Sequence, residues 1–171
     1  FGAVVAGKLK LGLNENAGLE GTLRKSVHAI ETALKEFDEP RLAVTRDEDK
    51  LAVMYLDPAT QAWRQLASFN GYTGGPGAFE AVDFGPDGTL YVSAHAGGDK
   101  AALHTFDLAA NSISPKPLVQ LADFDFSGSL VTSRGKLLGI RYLSDAKSTV
   151  WFDPAMKAAQ EKVDALLPGT V

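Results

Sequence analysis

The sequence predicts a mainly β fold, part of a β-propeller of about three to three and a half four-stranded blades. Three observations carry that prediction. The first is an internal repeat over Pro40–Phe69, Thr89–Leu121 and Lys136–Leu166. Its anchors are Leu42, Leu90 and Leu137, then Lys50, Lys100 and Lys147, then Asp57, Asp107 and Asp153. The spacing holds near ~47 residues, the length of a four-stranded propeller blade. The second is the pattern within each repeat, in which short apolar runs alternate with polar turns, as strands do. The third is a unit upstream of the later two repeats, Phe79–Phe84 before GPDGT and Asp123–Ser133 before RGK. With it the count reaches four strands per period.

The elements follow in chain order. Ala3–Val5 and Lys8–Leu13 read as two lead strands, and Asn14–Gly21 as a polar turn. In Thr22–Phe37, apolar residues fall at Leu23, Val27, Ile30, Leu34 and Phe37. That 3.6-residue spacing predicts an amphipathic helix, roughly 22–37, capped by Thr22 and stopped by Asp38 and Pro40. The first repeat then supplies LAV, LAVMYLD and AWRQLASF as strands. The second supplies LYV, AALHTFDL and PKPLVQL. The third supplies LLGIRY and STVWFD and then leaves its blade through a helix, roughly 154–167. Asp153 is a natural N-cap for that helix, and Pro154 suits its first turn. Met156, Ala159, Val163 and Leu166 or Leu167 form its apolar side. The organisation is therefore a lead segment, 1–38, and three blade repeats within 39–171, roughly 40–78, 79–122 and 123–171.

The chain has 171 residues, 45% of them hydrophobic and 22% charged, with a net charge of −4. That balance suits a globular core and gives no basic face for nucleic acid. No apolar run approaches the ~20 residues of a membrane helix. There is no cysteine. Disulfides, thiolate metal sites and a cysteine nucleophile are thereby excluded. The sequence begins at Phe1 rather than Met, so the lack of a visible signal peptide leaves the compartment open.

The search for chemistry names no catalytic, metal or cofactor residue. No serine has glycine two residues away on both sides, as a nucleophile elbow requires. His28 falls on the first helix, His95 in a turn and His104 mid-strand, where surface or core roles account for them. Asp47, Glu48 and Asp49 lack the alternation and the glycine of a calcium loop. Asp83, Asp87 and Gly88 read as a blade-edge turn. Phe69–Ala78, FNGYTGGPGA, lacks the Lys-Ser/Thr of a phosphate loop. Its glycines supply positive φ, and a propeller rim loop of this kind can also meet a ligand or a neighbouring domain. Asp57, Asp107 and Asp153 each end a strand. Their carboxylates are expected to accept backbone N–H groups of the next turn.

The stretches RLAVTRDEDKLAVMYLDPATQAWRQLASF, AVDFGPDGTLYVSAHAGGDKAALHTFDL and STVWFDPAMKAAQEKVDALLPG carry a resemblance. They resemble the propeller of bacterial serine peptidases of the prolyl oligopeptidase family, over Pro40–Gly169. The resemblance implies a module that gates peptide access to a C-terminal α/β-hydrolase domain held in cis. In that family the catalytic triad belongs to the hydrolase domain, and no position here matches it. The chain by itself is then expected to be inactive, with peptide substrates belonging to the parent enzyme. At ~47 residues per blade it would be a fragment, since a closed ring takes at least ~4 blades. Open blades expose edges that neighbours normally cover, so self-association is expected. The alternatives are a stand-alone propeller scaffold for protein partners, or a small propeller hydrolase of lactonase type built on a central metal.

Overall fold

In a computed structural model, the chain is described at residues 2–5, 9–11 and 41–167. The expected helix at 22–37, with His28, lies outside the described residues. What is described is mainly β, with three antiparallel sheets and one helix. The chain divides into two compact units, Phe1–Phe79 and Glu80–Val171.

The first unit holds a five-stranded sheet in the order β2-β1-β3-β4-β5. Its strands are β1 (Gly2–Val5), β2 (Leu9–Leu11), β3 (Leu42–Asp47), β4 (Lys50–Leu56) and β5 (Trp63–Asn70). Strands β3, β4 and β5 form a meander, and β1 joins on the far side of β3, pairing Val5 with Leu42. Leu42, Val53 and Leu66 are buried. The β3–β4 turn is tight, with Asp47 opposite Lys50 and Glu48 at φ 51°.

The second unit holds two meanders. One is β6 (Glu80–Phe84), β7 (Leu90–Ala94), β8 (Ala102–Asp107) and β9 (Ser112–Ile113). The other is β10 (Gly128–Ser133), β11 (Lys136–Leu143) and β12 (Lys147–Trp151). Tyr91, Leu103, Phe126 and Ile140 form a shared core, with Val82, Leu130, Leu137 and Val150 packed around it. The two sheets therefore meet face to face. Strands β7 and β8 are buried at most positions, so both of their faces are largely covered. The β10–β11 turn uses Arg134 and Gly135, both at positive φ (49° and 71°). Two such residues in a two-residue hairpin loop match the right-handed twist of the strands they join.

The structure differs from the sequence expectation at the last strand of the second repeat. PKPLVQL does not form a continuous strand. Pairing with β8 begins at Ser112–Ile113, stops, and resumes as a bridge between Leu103 and Val119. Pro115 and Pro117 fall in the gap. Proline has no N–H to give a ladder, so the strand is cut into two short pieces. Around the interruption, His104 Nδ1 lies 2.8 Å from the Ser114 carbonyl oxygen, beside the break.

The helix α1 spans Pro154–Leu166. It is one residue shorter than the expected range, and Leu167 is its C-cap. None of its residues is buried, and Val163 and Leu166 stand exposed. Among the described residues no helix is long and apolar enough to cross a membrane.

Candidate functional site

The three anchor aspartates do one structural job. Asp57 Oδ1 accepts from Ala59 N (2.8 Å) and Thr60 N (3.3 Å). Asp107 Oδ1 accepts from Ala109 N (2.8 Å) and Ala110 N (2.9 Å). Asp153 Oδ1 accepts from Ala155 N (2.9 Å) and Met156 N (3.0 Å). Each carboxylate thus satisfies the N–H groups two and three residues on, as a helix N-cap does. In the first repeat Gln61 N then donates to Asp57 O (2.8 Å), and in the third Lys157 N donates to Asp153 O (3.0 Å). So one helical turn follows the aspartate in both.

What happens next separates the repeats. Gln61 and Asn111, each four residues after its aspartate, take positive φ (55° and 54°). That conformation ends the turn and returns the chain to a strand. Lys157 stands at the equivalent place and stays helical, so the turn runs on as α1. We expect Asp153→Ala to cost about 1 kcal/mol, the usual value of an N-cap. Urea unfolding followed by circular dichroism checks this, and an unchanged midpoint contradicts it.

The other weighed residues are scattered. His95 is exposed, and its carbonyl accepts from Gly98 N at 2.7 Å. His104 is buried in β8. Asp87 closes the β6–β7 turn, accepting from Thr89 N (3.1 Å) and Thr89 Oγ1 (2.9 Å). The Thr89 backbone bond, then its hydroxyl bond, holds the Asp87 carboxyl below its ordinary value. A carboxyl lowered by folding contributes stability that is present above its unfolded value, about 4, and lost as pH falls through the folded one. We expect the advantage of the wild type over Asp87→Asn to shrink across that acid range. Paired unfolding curves from pH 2 to 6, on the order of one unit apart, would measure it. Among the described residues no group of three or more His, Asp or Glu side chains is arranged to hold a metal.

One exposed cluster does bring separated residues together, at the end of the first sheet. Asn70 ends β5 beside the β3–β4 turn. Its Oδ1 accepts from Tyr72 N and Thr73 N, both at 2.9 Å. Its Nδ2 donates to Asp49 Oδ2 at 2.6 Å. Gly71 N donates to Asp49 O, also at 2.6 Å. Arg46 Nε donates to Glu48 O (2.8 Å), and its guanidinium lies 4.8 Å from the Tyr72 ring centre. Tyr72 itself is 77% exposed. Gly74, Gly75 and Gly77 carry the loop onward at positive φ, as expected of its glycines. In the sequence, Asp49 and the loop Phe69–Ala78 stand apart, and nothing there singles out Asn70 or Arg46 as their link, apart from the strand-end Asn-Gly pair.

Comparison with family models, curated proteins and solved structures finds no match for this chain.

Proposed function

We propose that these sheets are blades of a propeller that filters peptides entering the hydrolase domain of a prolyl oligopeptidase family serine peptidase. The observation that carries this reading is the recurrence of one carboxylate-latched turn in three successive meanders, directly after the hairpins β3–β4, β7–β8 and β11–β12. A sheet-by-sheet repeat of that kind is how propellers are built. Two further features support it. The second unit packs its two sheets face to face, and β6 and β10, the first strands of their meanders, lie close together. Sheets radiating from an axis bring their first strands together in this way.

In this role the chain supplies no catalytic group. It contributes walls, and the chemistry resides in a hydrolase domain in cis. Among the described residues no strand pairs with the outer side of β12. That open edge is where self-association of isolated blades would occur. Hydrolysis of peptide anilides is the direct test. The chain alone is expected to release no product. Activity that a serine-directed phosphonate abolishes would overturn the reading, as would a reading frame that continues into no Gly-x-Ser-x-Gly domain.

A further inference from the structure

Asn70 is followed by Gly71, and the pair sits at the junction of β5 with the glycine loop. An asparagine before glycine is the pairing most open to intramolecular deamidation, because glycine offers no side chain to block attack. The Gly71 nitrogen attacks Asn70 Cγ. A nitrogen–carbon bond forms, the Cγ–Nδ2 bond breaks, and ammonia leaves with the proton lost from the Gly71 nitrogen. Water then opens the five-membered imide at either carbonyl, leaving aspartate or isoaspartate at position 70.

The native contacts oppose each part of this sequence. The attacking nitrogen must lose its proton, yet Gly71 N–H is held by the Asp49 carbonyl at 2.6 Å. The departing amide is held by the Asp49 carboxylate, also at 2.6 Å. The amide oxygen is fixed by two backbone N–H groups, those of Tyr72 and Thr73. These four hydrogen bonds oppose rotation of Cγ toward Gly71. The same arrangement also makes the product intolerable. Replacing Nδ2 by oxygen puts two carboxylates at hydrogen-bond distance with no proton between them, and like charges so placed repel.

We propose that Asn70–Gly71 is a fold-gated deamidation site, closed by Asp49 in the native chain, opened by unfolding, and a barrier to refolding once converted. The chain would thereby record how long it has been unfolded. The charged groups around position 70 are Asp49, Lys50 opposite it in the ladder, Arg46 stacked on Tyr72, and Asp47 and Glu48 in the turn. Lys50 is exposed and solvent-screened, so it softens the repulsion without reversing it.

The test incubates the chain in native buffer and in urea at mildly alkaline pH. Peptide mapping then follows the replacement of NH by O at residue 70. The native rate is expected to be about ten-fold slower or more, since reaction requires local opening. Equal rates would overturn the proposal. Asp49→Ala, checked as folded by circular dichroism, should raise the native rate and leave the rate in urea unchanged. An unchanged native rate would remove the Asp49 carboxylate from the gate and overturn that part of the proposal. Should that variant fail to fold, Asn70→Asp is compared with Asn70→Ser. The aspartate variant should unfold at lower temperature at neutral pH, and the gap should close as pH falls and one carboxyl takes a proton. Equal midpoints at neutral pH would overturn the second half of the proposal.

Discussion

Substituting alanine at Gly139 should destabilise the second unit by about 3 kcal/mol, the upper end of what an overpacked site costs. Gly139 sits mid-β11, opposite Trp151 of β12. A Cβ there would press on the Val150 carbonyl oxygen and would lie 2.9 Å from Trp151 Cε3 and 3.2 Å from Trp151 Cα. A side chain could swing aside. The Val150 oxygen and the Trp151 Cα belong to the ladder itself, so relief means moving β12 away from β11. The Gly139 backbone is not at positive φ, which makes the cost steric. The contrasting site is Gly135, at φ 71° with nothing within 4 Å of the added carbon. Gly135→Ala should cost only the about 1 kcal/mol of left-handed backbone. Urea midpoints of both variants, read by far-ultraviolet circular dichroism, decide the matter. A Gly139→Ala variant no less stable than Gly135→Ala would sink the steric account.

Leu103→Ala should cost about 3 kcal/mol, within the range for a fully buried leucine. Leu103 is 0% exposed and touches the core shared by the two sheets of the second unit. Its deletion leaves a hole bounded by Tyr91, Phe126 and Ile140. The backbone of Leu103 is also pinned, donating to Val119 O (2.8 Å) and accepting from Leu118 N (2.7 Å). That pinning limits collapse into the hole, and limited collapse is what makes such a deletion costly. Chemical denaturation should show a lower midpoint with an unchanged slope. A loss under about 1 kcal/mol would mean that the sheets repack freely.

Much of the β architecture was legible in the residues. The leucine and aspartate anchors marked hairpins, because a strand needs apolar residues and its end needs a way to satisfy backbone N–H groups. Asp153-Pro154 marked the start of α1 for the same reason, a cap followed by a residue with no N–H to satisfy. The broken last strand of the second repeat was harder. Leu118, Val119 and Leu121 looked like a strand, and only the pairing revealed that Pro115 and Pro117 cut it in two. The difference between a turn after Asp57 or Asp107 and a helix after Asp153 was legible too, because Pro154 and the spacing of Met156, Ala159, Val163 and Leu166 mark a helix. What the side chains did not show is that Gln61 and Asn111 end their turns at positive φ. The Asp49–Asn70 cluster was invisible for another reason. Its partners lie on neighbouring strands, and their register had to be known before the carboxylate and the amide could be paired.

The pairing of β1 with β3 has a consequence in time. Nearly every other strand contact joins neighbours along the chain, and such hairpins close within about 1–10 μs. The Val5–Leu42 pair must instead bring together positions separated by residues 6–41. Closing so wide a span costs chain entropy before any contact repays it. The β3–β4–β5 meander should therefore assemble first and offer β3 as a waiting edge. The β1–β2 pair is then the last part of its sheet to arrive, and the first to leave when the chain is stressed.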